Sequence, residues 1–447
     1  EQDLVHQASD VADRRAYRAP CERPSPAICD NAPVLPADVR PISVDDHIIE
    51  PANLWTSRFP SKLLDKAPRI ERRNVISTKM VGAGVYELVE GPEGRPADCW
   101  IYEDKVIYVH KSHVAIPNWA VPGGDIRRFD KLQMDLTCIT YDDMWDGCID
   151  QKARIRDLEA AGVEASLGFP TAVRFCGQVF LEAQDKEIAL LGVQAYNDWM
   201  IDEWCGGSNG QLIPLCIVPM WDAELAAAEI RRNAARGARA VTFSEIPIHL
   251  GLPSIHSGWW DPFFEACDET RTTVCMHIGS SSKMLATSAD APIAVQATLT
   301  FNNAMASLAD YLFSGLFVKF PNLRVAYSEG QIGWLPYVLE RADDVWENHE
   351  GWMHTRAIVP EPPSTYYHDH VFGCFFRDNH GVASIHEIGI NNVTYETDYP
   401  HTDTTWPHTT EYVEKVLANL PDELVYKVLR SNALNMLSLD ENLKVVN

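Results

Sequence analysis

From residue 41 onward the chain alternates short, nearly continuous apolar runs with longer stretches whose apolar positions recur every three or four residues. Short continuous runs suit strands buried on both faces, and the longer pattern suits the helices that cover them. Eight runs read as strands: Ile42–Asp46, Glu164–Gly168, Leu212–Val218, Ala240–Phe243, Thr273–His277, Leu323–Ser328, His370–Phe376 and Val393–Thr397. Helices fit between them. DQKARIRDLEAAG ends at Gly162, and DAELAAAEIRRNAARG opens on an Asp cap and closes on Arg and Gly. Those are the residue types that satisfy the orphan backbone groups at helix ends. Eight strands alternating with helices predict an α/β fold, a (β/α)8 TIM barrel. The alternative is an open doubly wound sheet, but no GxGxxG follows a strand and no phosphate-binding loop is present.

Several segments fall outside the alternation. Residues 50–149 form a long excursion after the first strand, and VYELVEG and CWIYEDKVIYVHKSHV within it read as β-hairpins. This β-rich insert is expected to cap the barrel mouth. Residues 350–392 hold a Pro-rich loop and YYHDHVFGCFFRDNHG. Residues 1–40, rich in Pro, Ala and charge, are expected to form an arm that wraps the surface or reaches a neighbouring subunit. The division is thus an arm over 1–40, a barrel over 41–438 that includes the cap, and a tail over 439–447. A plain barrel needs only about 250 residues, so a chain of 447 has room for all of them.

Composition narrows the partners. A formal net charge of −25 repels nucleic acid and anionic membranes, leaving a small-molecule substrate as the expected ligand. The longest apolar runs are too short to span a bilayer. The 11 cysteines include no CxxC pair and many sit in apolar runs, as reduced thiols of a cytoplasmic protein would. The sequence opens on Glu1, so it reads as trimmed or renumbered, and a removed signal peptide stays compatible with it. The arm and the insert give surface for a homo-oligomer or an assembly with a related subunit.

Functional groups of such a barrel lie at the C-terminal ends of its strands. After the first strand stands Asp45-Asp46-His47, and strand alternation points Asp45 and His47 the same way. His277 ends the fifth strand, Glu329 follows the sixth, and Asp398 follows the eighth with His401 three residues on. Acids converging at one mouth repel one another unless a cation joins them. A divalent ion removes that repulsion and lowers the pKa of a bound water to about 7, giving a nucleophile at neutral pH. The expected metal set is therefore Asp45, His47, His277, Glu329, Asp398 and His401. Asp398 and His401 are also the expected acid–base residues. Each residue alone has an ordinary structural reading: a helix cap for Asp45 or Asp46, a core histidine for His277, a surface acid for Glu329, a turn cap for Asp398. Their recurrence at four strand ends favours the shared site. Glu245, just after the fourth strand, is a candidate bridging group or an ordinary loop acid. His110, His113, His249 and His256 are expected near the mouth in structural roles. Trp119, Trp259, Trp260, Phe169 and Arg174 could line a largely apolar substrate pocket or pack the loops. Trp334, Tyr337 and Leu339 are expected to pack.

VDDHIIEPANLW, YNDWM, CMHIGS, SEGQIGWLPYVLERAD and ETDYPHTDTTWP resemble the amidohydrolase superfamily, in the amidohydrolase-related branch that includes aminocarboxymuconate-semialdehyde decarboxylase-like proteins. The resemblance spans roughly residues 41–438. It implies a metal-dependent barrel with ligands after strands one, five, six and eight, which fall here on Asp45, His47, His277, Glu329 and Asp398. Two positions depart from the family pattern. Asp45 stands where His-x-His is usual, and Glu329 stands where His is usual after strand six. Two neutral nitrogens have become charged oxygens, which suits iron or manganese better than zinc and admits a second ion in a dinuclear centre. Zinc remains the alternative metal.

These readings lead first to a metal-dependent hydrolase acting on an ester, thioester or amide carbonyl. The carboxylate-rich set also suits a dinuclear nonheme iron or manganese–iron oxygenase, and the resemblance implies that members of the branch activate dioxygen. The same branch performs nonhydrolytic decarboxylation. A noncatalytic scaffold barrel is the reading from another class, and the apparently complete ligand set argues against it.

Overall fold

A computed structural model describes residues 39–82, 85–114 and 135–446. The barrel strands are β1 (Ile42–His47), β6 (Ala165–Phe169), β7 (Leu212–Ile213), β8 (Leu215–Cys216), β9 (Ala240–Phe243), β10 (Thr273–His277), β11 (Val325–Ser328), β12 (Val371–Phe375) and β13 (Val393–Tyr395). They pair in parallel in the order β7-β6-β1-β13-β12-β11-β10-β9-β8. Ile213 pairs with Leu167 at one edge, and Leu215 pairs with Ala240 at the other. Only Pro214 separates β7 from β8, and neighbouring Cα atoms are about 3.8 Å apart. The two edges therefore meet and the sheet wraps into a barrel.

Pro214 corrects one expectation. Leu212–Val218 reads as a single strand in the apolar pattern, but proline has no N–H for the ladder, so the strand breaks into two short pieces. The other seven strands lie where the apolar runs predict, with ends shifted by up to two residues. The helix Gln151–Ala160 is capped by Asp150, whose side chain accepts from the Ala153 N–H, and ends before Gly162 at φ +72°. Ala223–Ala234 is capped by Asp222 in the same way and is followed by Gly237 at φ +94°.

The barrel interior is filled by alternate residues: Ile42 and Val44, Leu167 and Phe169, Ile213 and Leu215, Cys275, Ala326, Phe372 and Cys374. Ala433, Leu434 and Met436 join this core from the C-terminal helix. The opposite strand faces (Val241, Phe243, Val274, Met276, Val325, Tyr327, Val393 and Tyr395) pack under the helices. Trp260 packs here too. Trp260 meets Phe243 at 4.7 Å between ring centroids, the exposed Trp259 meets Trp260 at 4.5 Å, and neither lines the cavity beside the strand ends. Leu339 is buried and Trp334 packs against the core as expected, but Tyr337 is 71% exposed.

A separate antiparallel sheet consists of β2 (Arg69–Gly82), β3 (Val85–Glu90), β4 (Arg95–Tyr102) and β5 (Lys105–Tyr108), in the order β3-β2-β4-β5. β4 and β5 make a hairpin as expected. VYELVEG instead supplies only β3, which pairs with the preceding strand β2. Among the described residues nine cysteines are free thiols, and no helix is long and apolar enough to cross a membrane. The 1–38 part of the arm and Trp119 lie outside the described residues.

Candidate metal centre

The first strand carries the feature that aims the site. Ile42 and Val44 face the barrel interior, so strict alternation would turn Asp46 inward and Asp45 outward. The register against β6 slips between Ser43 and Asp46, where three steps on β1 match two on its neighbour. Such a bulge re-aims the side chains beyond it. Asp45 and His47 consequently reach the cluster of strand-end donors, while Asp46 becomes a structural acid. Asp46 accepts from the Ser43 hydroxyl at 3.0 Å, the Tyr399 N–H at 3.0 Å, and the hydroxyls of Ser166 and Thr397.

Backbone bonds then bring the eighth strand alongside. The His47 N–H donates to Tyr399 O at 2.7 Å, and the Asp398 N–H donates to Asp45 O at 3.0 Å. Arg154, fully buried, donates to His47 O at 2.6 Å and Gly147 O at 2.7 Å and fixes the end of β1 from outside. Glu329 and Asp398 adopt left-handed backbone at φ +56° and +54°. For residues other than glycine this costs of order 1–3 kcal/mol each, a kind of strain that clusters at functional sites.

Among the described residues Asp45, His47 and His277 form one group of donors close enough to share an ion, and His47, Asp398 and His401 form a second; Glu329 is in neither group and approaches through His277. His277 Nε2 lies 3.1 Å from His47 Nε2, 3.4 Å from Asp45 Oδ2 and 3.3 Å from Glu329 Oε2. His47 Nε2 lies 3.4 Å from Asp398 Oδ1 and 3.7 Å from Asp45 Oδ1. His401 joins from the next turn: its Nδ1 is 3.4 Å from Asp398 Oδ1, and its ring stacks on His47 at 3.5 Å between centroids. Two ligands held about 2.1 Å from one ion stand roughly 3.0 to 3.4 Å apart at octahedral or tetrahedral angles. The observed donor spacings fall in that range except the 3.7 Å between His47 Nε2 and Asp45 Oδ1.

Electrostatics point the same way. Burial, followed by the neighbouring carboxylates Glu396, Glu329 and Asp398, pushes the Asp45 carboxyl well above its ordinary value. Glu329 is pushed up by burial, then Asp398 and Glu396. Burial also drives His277 down to about 3 and His401 down to about 3, so both rings are neutral at physiological pH. His277 Nδ1 sits 2.6 Å from the Ile278 carbonyl, so Nδ1 carries the proton and Nε2 offers a lone pair to the cluster. Mutually repelling acids and bare nitrogens at these spacings fit a divalent cation.

Glu396 is a member of this site that strand-end reading missed. It is buried, accepts from the Glu329 N–H at 3.0 Å and the Cys374 thiol at 2.6 Å, and is pushed up to about 7 by burial. A signal was present: Glu396 and Asp398 are two apart, and period two puts them on one face. Glu245 is buried after β9, but among the described residues it is not in any group close enough to share an ion with the cluster. His256 is half-exposed and pairs with Asp310 at 2.6 Å, and His249 is half-buried on a surface turn.

A cavity of about 250 Å³ opens beside the cluster. His47, His401 and His113 line it together with Tyr86, Ile107 and Tyr108 of the cap and Phe175 and Val179 of the barrel. Arg174 lines it as expected from the sequence, and Phe169 packs beneath, 5.0 Å from the His277 ring. His110 lies behind His113, the two rings tilted by 32° with centroids 3.7 Å apart.

Because cation binding needs Asp45 and Glu329 ionised, while the metal-free site favours their protonated forms, loading must release protons. Affinity for manganese is therefore expected to strengthen as pH rises toward neutrality. Calorimetric titration in two buffers of different ionisation enthalpy reads the released protons, and identical heats in both would contradict the assignment.

Comparisons with known proteins agree with this architecture. No curated protein matches the chain. Similar solved structures include an amidohydrolase from Mycobacterium avium subsp. paratuberculosis, at TM-score 0.60 and 20% identity, covering 90% of this chain and 99% of that one. A dihydroxybenzoic acid decarboxylase from Polaromonas sp. with bound manganese and 2-nitroresorcinol aligns at TM-score 0.53 and 21% identity, over 66% of this chain and 89% of that one. A 5-carboxyvanillate decarboxylase from Novosphingobium aromaticivorans, complexed with manganese, aligns at TM-score 0.52 and 19% identity, over 66% and 82%. At these identities the likeness shows the fold. A sequence model described as amidohydrolase matches residues 97–439, a span that starts in β4 and leaves Asp45 and His47 outside it. Covering most of the chain, that match places this protein in the amidohydrolase family.

Proposed function

We propose that the chain is a metal-dependent hydrolase of a small carbonyl substrate, an ester, thioester or amide, with iron or manganese in its centre. The observation that carries this reading is the Asp398–His401 pair, of which His401 lines the cavity and Asp398 stands behind it. Asp398 Oδ1 stands 3.4 Å from His401 Nδ1, a proximity that favours a proton on Nδ1 and leaves Nε2 as the acceptor in this reading. His401 Nε2 carries no hydrogen bond among the described residues. A neutral imidazole with its far nitrogen held by a carboxylate is a general base, and hydrolysis needs one to take a proton from water.

Asp45, His47 and His277, with Asp398 beside His47 and Glu329 beside His277, would hold a divalent ion, which when bound would supply Lewis acidity and lower the pKa of water toward neutrality. The residues do the rest. His401 takes the water proton through Nε2 and returns it to the leaving group, while Asp398 steadies the imidazolium formed between those steps. The apolar cap residues Tyr86 and Ile107 limit solvent at the reacting carbonyl.

A second reading, nonhydrolytic decarboxylation, is favoured by the fold likeness to the two manganese-bound decarboxylases. Turnover in H₂¹⁸O separates the readings. Hydrolysis puts one solvent oxygen into the acid product. Release of CO₂ without that label would replace hydrolysis by decarboxylation, and stoichiometric dioxygen uptake would replace both by oxygenation.

A further inference from the structure

We propose that Arg174 is an anion anchor, and that the substrate is an apolar molecule bearing an anionic group besides the one that reacts. The inference rests on the reading of this cavity as the substrate site, and it adds the substrate's chemical class.

Three observations converge on Arg174. It lines the cavity that His47 and His401 border, and its side chain is 11% exposed. Its Nη1 donates to Glu182 at 2.8 Å and its Nη2 to the Ser282 hydroxyl, while its Nε is buried without a hydrogen bond among the described residues. Its backbone is left-handed at φ +64°, a conformation that costs an arginine about 1–3 kcal/mol and persists only when the surroundings hold it.

The charge balance around it adds a fourth. Lys105 Nζ lies 3.5 Å from Glu182, so two cations share one carboxylate on the cavity wall and leave one positive charge in excess. In a chain of net charge −25, a net positive cavity wall is a local exception that concentrates small anions. Arginine suits a carboxylate, sulfate or phosphate oxygen; with Nη1 and Nη2 engaged, Nε is the donor left over, and an anion that displaces Glu182 would take Nη1 as well. The lining beside it is apolar, including Val106, Ile107 and Val179, and suits a hydrocarbon body. Among the described residues the hydrogen-bond partners of the Arg174 side chain are Glu182 and Ser282, neither of them a donor of the metal cluster. The anchored anion is therefore a separate group from the one presented to the ion.

The test uses binding, so it stands apart from whether the enzyme hydrolyses anything. Naphthalene-2-sulfonate is the anionic probe, because a sulfonate is a poor ligand for divalent ions, and methyl 2-naphthyl sulfone is its neutral counterpart. Both are titrated calorimetrically into full-length protein with and without manganese. Wild type is expected to bind the sulfonate about tenfold more tightly than the sulfone. Arg174→Met should erase that preference and leave sulfone binding unchanged. Glu182→Gln, which removes the competing carboxylate, should tighten sulfonate binding several-fold. The proposal is overturned if wild type does not discriminate, if Arg174→Met keeps the preference, if Glu182→Gln leaves sulfonate binding unchanged or weaker, or if the preference exists only with manganese present.

Discussion

Asp398→Asn is expected to lower turnover by more than about a hundredfold while leaving the metal-free protein at least as stable as wild type. The first half follows from position. Asp398 lies 3.4 Å from both His47 Nε2 and His401 Nδ1, so it serves the ion and the proposed base together. Loss of an outer partner of a metal ligand typically costs 10–100-fold in activity or metal affinity, and loss of a ligand should exceed that. The second half runs against the usual expectation for a buried polar residue. Asp398 is fully buried and is one of the charges that push Asp45 and Glu329 upward. Neutralising it relieves that repulsion when no cation is present. Chemical denaturation of chelated samples measures the stability, and steady-state assay of manganese-loaded samples measures the turnover. A variant with wild-type turnover would remove Asp398 from the mechanism. A metal-free variant much less stable than wild type would make it a structural residue.

Chelation has the second large effect. Stripping the ion should abolish activity and lower the melting temperature, and manganese at about 100 times its Kd should restore roughly 2.7 kcal/mol of stability. The physical source is the clustering of Asp45, Glu329, Asp398 and Glu396 around two neutral imidazoles in a buried space. Without a cation those acids must hold protons or repel, and raising the pH removes the protons. The stability gap between loaded and stripped protein should therefore widen as pH rises through the raised carboxyl pKa range, with Glu396 at about 7 marking one point in it. Melting curves over a pH series, with and without metal, read this directly. A gap that is zero, or that narrows with rising pH, contradicts the account.

Particular residues show how much of this was legible in the sequence. The barrel could be read because its strands are buried on both faces, so Thr273–His277 and Val393–Tyr395 appear as unbroken apolar runs with donors at their ends. The donors themselves were visible because a barrel gathers its strand ends in one place. The bulge in β1 was not legible: nothing in ISVDDH says that the register slips after Ser43, and that slip is what separates the roles of Asp45 and Asp46. Pro214 was legible in kind, since proline leaves the ladder, but its place at the seam between β6 and β9 depends on pairing across the whole chain. Glu396 was hidden because strand-end reading stopped at Asp398. The cavity wall was largely illegible. Tyr86 and Ile107 reach it from a sheet built after the first strand, whose placement over the mouth no local pattern reports; Arg174 and His113 were legible as residues of the mouth, but not the partners they meet there.

The most direct measurement is anomalous diffraction at the iron, manganese and zinc edges from crystals of protein loaded with metal. The account predicts an iron or manganese peak about 2.0–2.3 Å from His47 Nε2 and His277 Nε2, with carboxylate oxygens of Asp45, Glu329 and Asp398 around it. Stoichiometric zinc with neither of the other metals would contradict the metal assignment. No ion among these five side chains, with metal supplied in excess, would contradict the centre itself.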